Sequence, residues 1–153
     1  MVWRLISNNY YSILLNGQSY GFFHSTRGVK QGDPLSPTLF ILSNEVLCRA
    51  LNSLFDDPQF VGYGMPKWSA NLNHLAYADD TIIFSSTQNY SLGKIMTVLQ
   101  DYEKQSGQKV NKEKSFYYLH QKVAAGISHQ VEQCTGMSRD SFPMIFRMSY
   151  HSF

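Results

Sequence analysis

The stretch Leu75–Phe84, LAYADDTIIF, sets two adjacent carboxylates, Asp79 and Asp80, between runs of strand-forming residues. Leu, Tyr, Thr, Ile and Phe suit a pleated, half-buried surface, whereas Asp is depleted there. Two carboxylates ~4 Å apart at an effective dielectric near 20 repel by roughly 4 kcal/mol. Either water screens that repulsion in an exposed turn, or a cation offsets it. The plain structural reading is a hairpin turn, because Asp tolerates turn geometry. The chemical reading is a divalent-metal site at a hairpin tip. A second pair, Asp56-Asp57, serves as a control. It lies in a polar loop closed by Pro58, where water is expected to screen it, and no chemistry is assigned to it.

Outward from this stretch, the chain reads as short strands and helices. Leu72–Tyr77 and Thr81–Ser85 are expected strands around Ala78-Asp79-Asp80. Leu92, Ile95, Met96, Leu99 and Tyr102 share one helical face over 91–105, and Gly107 closes that helix. A strand over 115–119 and a helix over 123–134, with Val123, Ile127, Val131 and Cys134 inward, follow. Upstream, Asp33-Pro34 and Ser36-Pro37 each place a capping side chain before a proline. A long helix is therefore expected from about Pro37 to Phe55, with Leu39, Leu42, Val46, Leu47, Ala50, Leu51 and Leu54 at helical spacing. Before it, Asn16-Gly17-Gln18 joins two strands, 11–15 and 19–24, as a β-hairpin. Met1–Ser7 resembles the last turns of a helix. Hairpins and helices segregate rather than alternate, which favours α+β.

Composition narrows the class. The 153 residues are 43% hydrophobic and 14% aromatic, enough for one modest domain and unlike a disordered chain. The net charge of +2 alone says little about partners. Lys104, Lys109, Lys112, Lys114 and Lys122 cluster with only Glu113 among them, a solvated face or a phosphate-binding one. Cys48 and Cys134 form no CxxC pair, so an intracellular, reduced setting is expected. The five histidines show no zinc spacing, and no apolar run is long enough to span a membrane.

The loop before the long helix reads RGVKQGDPLSPTLF, Arg27–Phe40. Gly28 and Gly32 allow close backbone approach, Arg27 and Lys30 offer charge to phosphates, and Gln31 offers an amide to a sugar or base edge. This loop, followed by HLAYADDTIIF, resembles the reverse transcriptases of non-LTR (LINE-type) retrotransposons, plant elements above all. SILLNGQSYGFF upstream and LQDYEKQSGQKVNKEKS downstream fit the same family, so the resemblance spans roughly Trp3 to Pro143.

The resemblance implies an incomplete polymerase palm: an antiparallel sheet carrying the YADD hairpin, packed on helices, over residues 1–145. Residues 146–153 are a divergent tail. In such enzymes the carboxylates hold two Mg²⁺ ions that clamp an in-line phosphoryl transfer. By motif match, Asp79 is the principal metal ligand and Asp80 its neighbour in the same site. Tyr77 lies near the primer end, and Arg27, Gln31 and Gly32 border the incoming nucleotide and template. Lys114 is placed near the triphosphate, where it can protonate the leaving group. The implied partners are an RNA template, a DNA primer, a deoxynucleoside triphosphate and the remaining palm and fingers segments of a parent polyprotein, without a membrane. The implied location, for a working protein, is the nucleus.

Two departures shape the expectation for activity. No Asp or Glu precedes Asp33, so the upstream strand with the family's third carboxylate is expected to be missing. After Phe142-Pro143-Met144, Phe146-Arg147-Met148 replaces the family's Tyr-Leu-Gly turn. A missing strand leaves an open sheet edge; exposing ~800 Å² of apolar surface would cost on the order of 20 kcal/mol, an upper bound that exceeds ordinary domain stability. The chain is therefore expected to fold poorly and not to polymerise DNA. Alternative readings are a non-catalytic nucleic-acid-binding remnant using the lysine cluster, another palm polymerase, and a translated pseudogene fragment.

Overall fold

A computed structural model describes residues 10–24, 29–30, 32–66, 68–140 and 146–151, the last group by backbone alone. The chain divides into two compact units, 1–43 (with 153) and 44–152, and the division falls inside the long helix. The expected helix at Met1–Ser7 lies outside the described residues.

In the first unit, β1 (Tyr10–Leu15) and β2 (Gln18–His24) pair antiparallel, with Leu15 opposite Gln18. Asn16 and Gly17 both have positive φ, 49° and 79°, the geometry a two-residue primed turn requires. The register shifts between Tyr11 and Ile13. Beyond it, the Asp33 carboxylate accepts from the Leu35 amide at 2.8 Å, and the Ser36 hydroxyl donates to the Lys30 carbonyl. These bonds launch α1 (Ser36–Asn52), close to where the two Xaa-Pro signals put it.

The second unit holds the core. After α1 a 3-10 turn, Ser53–Asp56, completes the run expected to be helical. The hairpin β3 (His74–Tyr77) and β4 (Asp80–Ile83) leads into α2 (Asn89–Ser106). Gly107, at φ 73°, ends α2, and its amide donates to the Glu103 carbonyl at 3.0 Å. Short strands β5 (Lys109–Val110) and β6 (Phe116–Tyr117) flank a 3-10 turn, Lys112–Lys114. Helix α3 (Ala125–Thr135) ends at Gly136, φ 67°, before β7 (Ser138–Arg139) and β8 (Phe146–His151).

Leu47, Leu51 and Leu54 of the α1 segment, Leu92, Ile95, Leu99 and Tyr102 of α2, Val131 of α3, and Ile83, Tyr117 and Met137 form one buried cluster with Phe60. Each such aliphatic side chain contributes about 1.5–3 kcal/mol on burial. Buried polar groups knit the elements together. Asn73 donates its amide to the Leu51 carbonyl at 2.6 Å, and its own carbonyl accepts from the Phe84 amide at 2.7 Å. The Tyr117 hydroxyl reaches the Ser128 carbonyl at 2.9 Å. These bonds fix the β3–β4 hairpin against the end of α1 and β6 against α3.

The α+β class holds. The sheet runs β3-β4-β8-β6-β7, with β5 also paired to β8, and is antiparallel except for the parallel β6–β7 pair. Residues 146–151, within the stretch expected to diverge from the family, form β8, an interior strand opposite β4 through Asp80–Ser149, Thr81–Met148, Ile82–Arg147 and Ile83–Phe146. Strand β4 is thus paired on both edges, to β3 and to β8. In α1, Leu42 and Val46 are exposed, so helical spacing alone overstates the buried face.

Candidate active site

Tyr77 pairs with Asp80, so the hairpin turn contains only Ala78 and Asp79. Asp80 is thus the first residue of β4 rather than part of the turn. Ala78 has φ 49°, a left-handed conformation that costs a non-glycine residue roughly 1–2 kcal/mol. Such departures concentrate at functional turns, where surrounding structure enforces them. Here the ladder below the turn does so. Thr81 and Ile83 are buried, at 1% and 3% exposure, and lock β4 to the core.

Strand alternation then assigns the other face. With Thr81 and Ile83 inward, Asp80 and Ile82 point to the opposite side, along with their partners Tyr77 and Leu75. Tyr77 is 86% exposed and Leu75 50%. Asp79 is exposed at the tip and Asp80 half-exposed. The tip therefore offers two carboxylates beside a solvent-facing aromatic ring. At the base of the hairpin, His74 is half-buried and its Nδ1 lies 2.7 Å from Asn73 Oδ1. Burial pushes its pKa down, opposed by the charge of Glu45.

Lys114 sits in a well-braced turn. Asn111 Oδ1 accepts from the Glu113 and Lys114 amides at 3.2 and 3.3 Å, and Ser115 Oγ donates to the Asn111 carbonyl at 2.7 Å. Asn111 and Ser115 are buried, and Lys114 is exposed. The sheet brings this segment to the acidic end. Val110 is opposite Tyr150, and Ser149 is opposite Asp80. One strand separates the two backbones, about 10 Å by ordinary strand spacing. The lysine cluster divides further. Lys104 pairs with Asp101 at 3.2 Å, and the Lys112 ammonium lies 3.3 Å from where a side chain at Gly136 would begin, over the C-terminal end of α3. Lys109 and Lys122 are exposed.

Arg27 and Gln31 lie outside the described residues. Gly32 belongs to the first unit, at φ 81°, with open space where a Cβ would stand.

The residues at the tip suit a hard cation that keeps part of its water shell. Mg²⁺ is commonly held by one or two carboxylates together with substrate phosphates. Among the described residues, no group of three His, Cys, Asp or Glu side chains gathers as a metal site. Within the described residues, Asp79 and Asp80 therefore do not by themselves complete a metal site.

The Reverse transcriptase (RNA-dependent DNA polymerase) family matches residues 2–137. The chain belongs to that family. An uncharacterized mitochondrial protein of Arabidopsis thaliana is 40% identical over 72 residues, 47% of this chain and 59% of that protein. The retrovirus-related Pol polyprotein of a type-2 retrotransposable element of Drosophila melanogaster is 35% identical over 131 residues, 84% of this chain and 11% of the polyprotein. The chain thus spans just over half the length of one relative and about a ninth of the other. It is a reverse transcriptase segment similar to those of non-LTR retrotransposons. No described helix is long and apolar enough to cross a membrane.

Sequence reasoning missed three features around the site. Ala78's φ carries no signal in a residue without turn preference. The interior position of β8 was legible, because Phe146-Arg147-Met148-Ser149-Tyr150-His151 alternates apolar and polar residues at period two. The third feature is the Asp57 network. Asp57 is not left to water alone: Oδ2 accepts from Tyr90 Oη at 2.7 Å and Lys94 Nζ at 3.0 Å, and Oδ1 accepts from the Gln59 amide at 3.0 Å.

Proposed function

We propose that this chain is the YADD-bearing part of a polymerase palm for RNA-directed DNA synthesis, with Asp79 the principal ligand of a catalytic Mg²⁺ and Asp80 the second carboxylate. The observation that carries this reading is the two-residue turn. It holds Asp79 at an exposed tip, and the adjoining strand directs Asp80 away from the core. A bound divalent ion supplies Lewis-acid charge for phosphoryl transfer between a primer 3′-hydroxyl and a nucleoside triphosphate. The chain's own residues do the positioning. Tyr77 offers a flat apolar surface beside the tip for the primer terminus. Lys114, on its braced turn one strand away, offers a proton and a positive charge to the triphosphate. Arg27, Gln31 and Gly32 border the nucleotide and template on the strength of their motif.

The same tip supports a second conclusion. Two carboxylates hold one ion, whereas in-line transfer in this family uses two. The chain alone is therefore expected to bind a divalent ion weakly and not to extend a primer; other parts of a polyprotein would supply the remaining ligand. Mn²⁺ titration followed by calorimetry tests the first point, with Asp79→Asn expected to lower affinity at least tenfold. Unchanged affinity would remove Asp79 from the site. Primer extension with an RNA template and Mg²⁺ tests the second, and template-dependent product from the chain alone would overturn it.

A further inference from the structure

We propose that Phe146–His151 is a tethered complementing strand, an exchangeable occupant of a slot between β4 on one side and β5 and β6 on the other. Three observations converge on this slot. The reverse transcriptase match ends at residue 137, so β8 lies outside it, yet β8 joins the β3–β4 hairpin to every other strand of its sheet. Its long contact is with β4, over four residue pairs, while among the described residues its other edge meets the two-residue strands β5 and β6. Its sequence also matches the slot. Phe146 and Met148 stand opposite Ile83 and Thr81, the two buried residues of β4, and Arg147 and Ser149 stand opposite Ile82 and Asp80. A slip of one residue would set the polar positions against the buried face.

The slot therefore recognises a strand by chemistry that any suitable segment can offer: antiparallel backbone pairing to residues 80–83 and an apolar-polar alternation in this phase. The consequence for the neighbouring tip is direct. Whatever strand fills the slot decides which residue stands opposite Asp80, and in this chain that residue is Ser149. This inference does not depend on catalysis by the chain, since strand occupancy and metal binding are read by different measurements.

The test uses the full chain carrying Met148→Pro, because proline removes a ladder donor and is not accommodated in an interior strand. A fluorescent peptide of residues 145–153 is titrated against this variant and against the wild type. The expected result is saturable uptake by the variant, at least tenfold tighter than by the wild type, together with recovery of the wild-type melt. A peptide with residues 146/147, 148/149 and 150/151 exchanged pairwise is expected to do neither. Equal uptake by wild type and variant, or equal rescue by the exchanged peptide, overturns the proposal. Should the variant aggregate, amide hydrogen exchange of the wild-type chain decides. Protection of 146–151 that is present but weaker than that of 80–83 supports an exchangeable strand, whereas absent protection or protection equal to that of 80–83 overturns it.

Discussion

The chain contains two Asp-Asp pairs, and the structure uses them in opposite ways. Asp56-Asp57 closes the α1 segment, where Asp57 is engaged by the Tyr90 hydroxyl, the Lys94 ammonium and the Gln59 amide. Lys94 also lies 5.3 Å from the Tyr90 ring centroid, so one cluster ties the α1 exit to the first turns of α2. Among the described residues, Asp79 has no such cage at its tip. Asp79 is exposed and makes no hydrogen bond or ion pair among the described residues. The dipeptide alone does not distinguish these fates. What distinguishes Asp57 from Asp79 is that cationic and hydroxyl donors reach Asp57 from another element, the Tyr90 hydroxyl from 33 residues downstream.

The largest expected effect strikes the support common to both regions. Leu99→Ala empties a fully buried position of α2 and is expected to cost about 2–5 kcal/mol in a chemical unfolding experiment. A loss below 1 kcal/mol would mean that α2 does not pack as described. Next comes the contrast itself. Asp57→Ala is expected to lower the melting temperature and leave Mn²⁺ affinity unchanged, whereas Asp79→Asn is expected to do the reverse. If Asp57→Ala weakened Mn²⁺ binding as much as Asp79→Asn, the two pairs would not have separate roles.

The acid limb of stability sharpens the same contrast. Hydrogen bonds from Tyr90 and the Gln59 amide, then Lys94, hold the Asp57 pKa below its ordinary value. A carboxylate with a depressed folded pKa stabilises the fold above its unfolded pKa, near 3.9, and that contribution disappears as pH falls through the folded value. Thermal melts from pH 6 to 2 are expected to decline more shallowly below about pH 4 in Asp57→Asn than in the wild type. An identical slope would show that the cluster does not titrate as a unit. The smallest effect belongs to the turn. Ala78→Gly relieves the left-handed strain but gives the unfolded chain more freedom, so a net gain of up to about 1 kcal/mol is expected. A clear loss would indicate that the alanine methyl makes a contact worth more than the strain.

Much of this arrangement was legible in the sequence where local chemistry decides it. Asn16-Gly17 supplies its own positive φ angles, Gly107 ends α2, and Leu92, Ile95, Leu99 and Tyr102 mark its inner face. The YADD hairpin was legible through its motif. The illegible parts were set at a distance. Nothing near Asp57 announces Tyr90 and Lys94, and nothing in Leu42 or Val46 announces that their side of α1 is exposed. Strands β5, β6 and β7 are two residues each, too short for any period to show. For β8 the period was present, but departure from the family's turn drew the reading away from it.

The β1–β2 hairpin carries a practical consequence. Tyr10–His24 contains no Lys, Arg, Asp or Glu, and Phe22 is 81% exposed amid other uncovered aromatic and aliphatic side chains. Such uncharged ribbons readily recruit further strands along their free edges. Handling behaviour at high concentration should therefore be governed by these fifteen residues, while the melting curve reports on the helices and sheet that follow. Lysines introduced at positions 13 and 22 should extend the concentration range in which the protein stays clear without moving that curve.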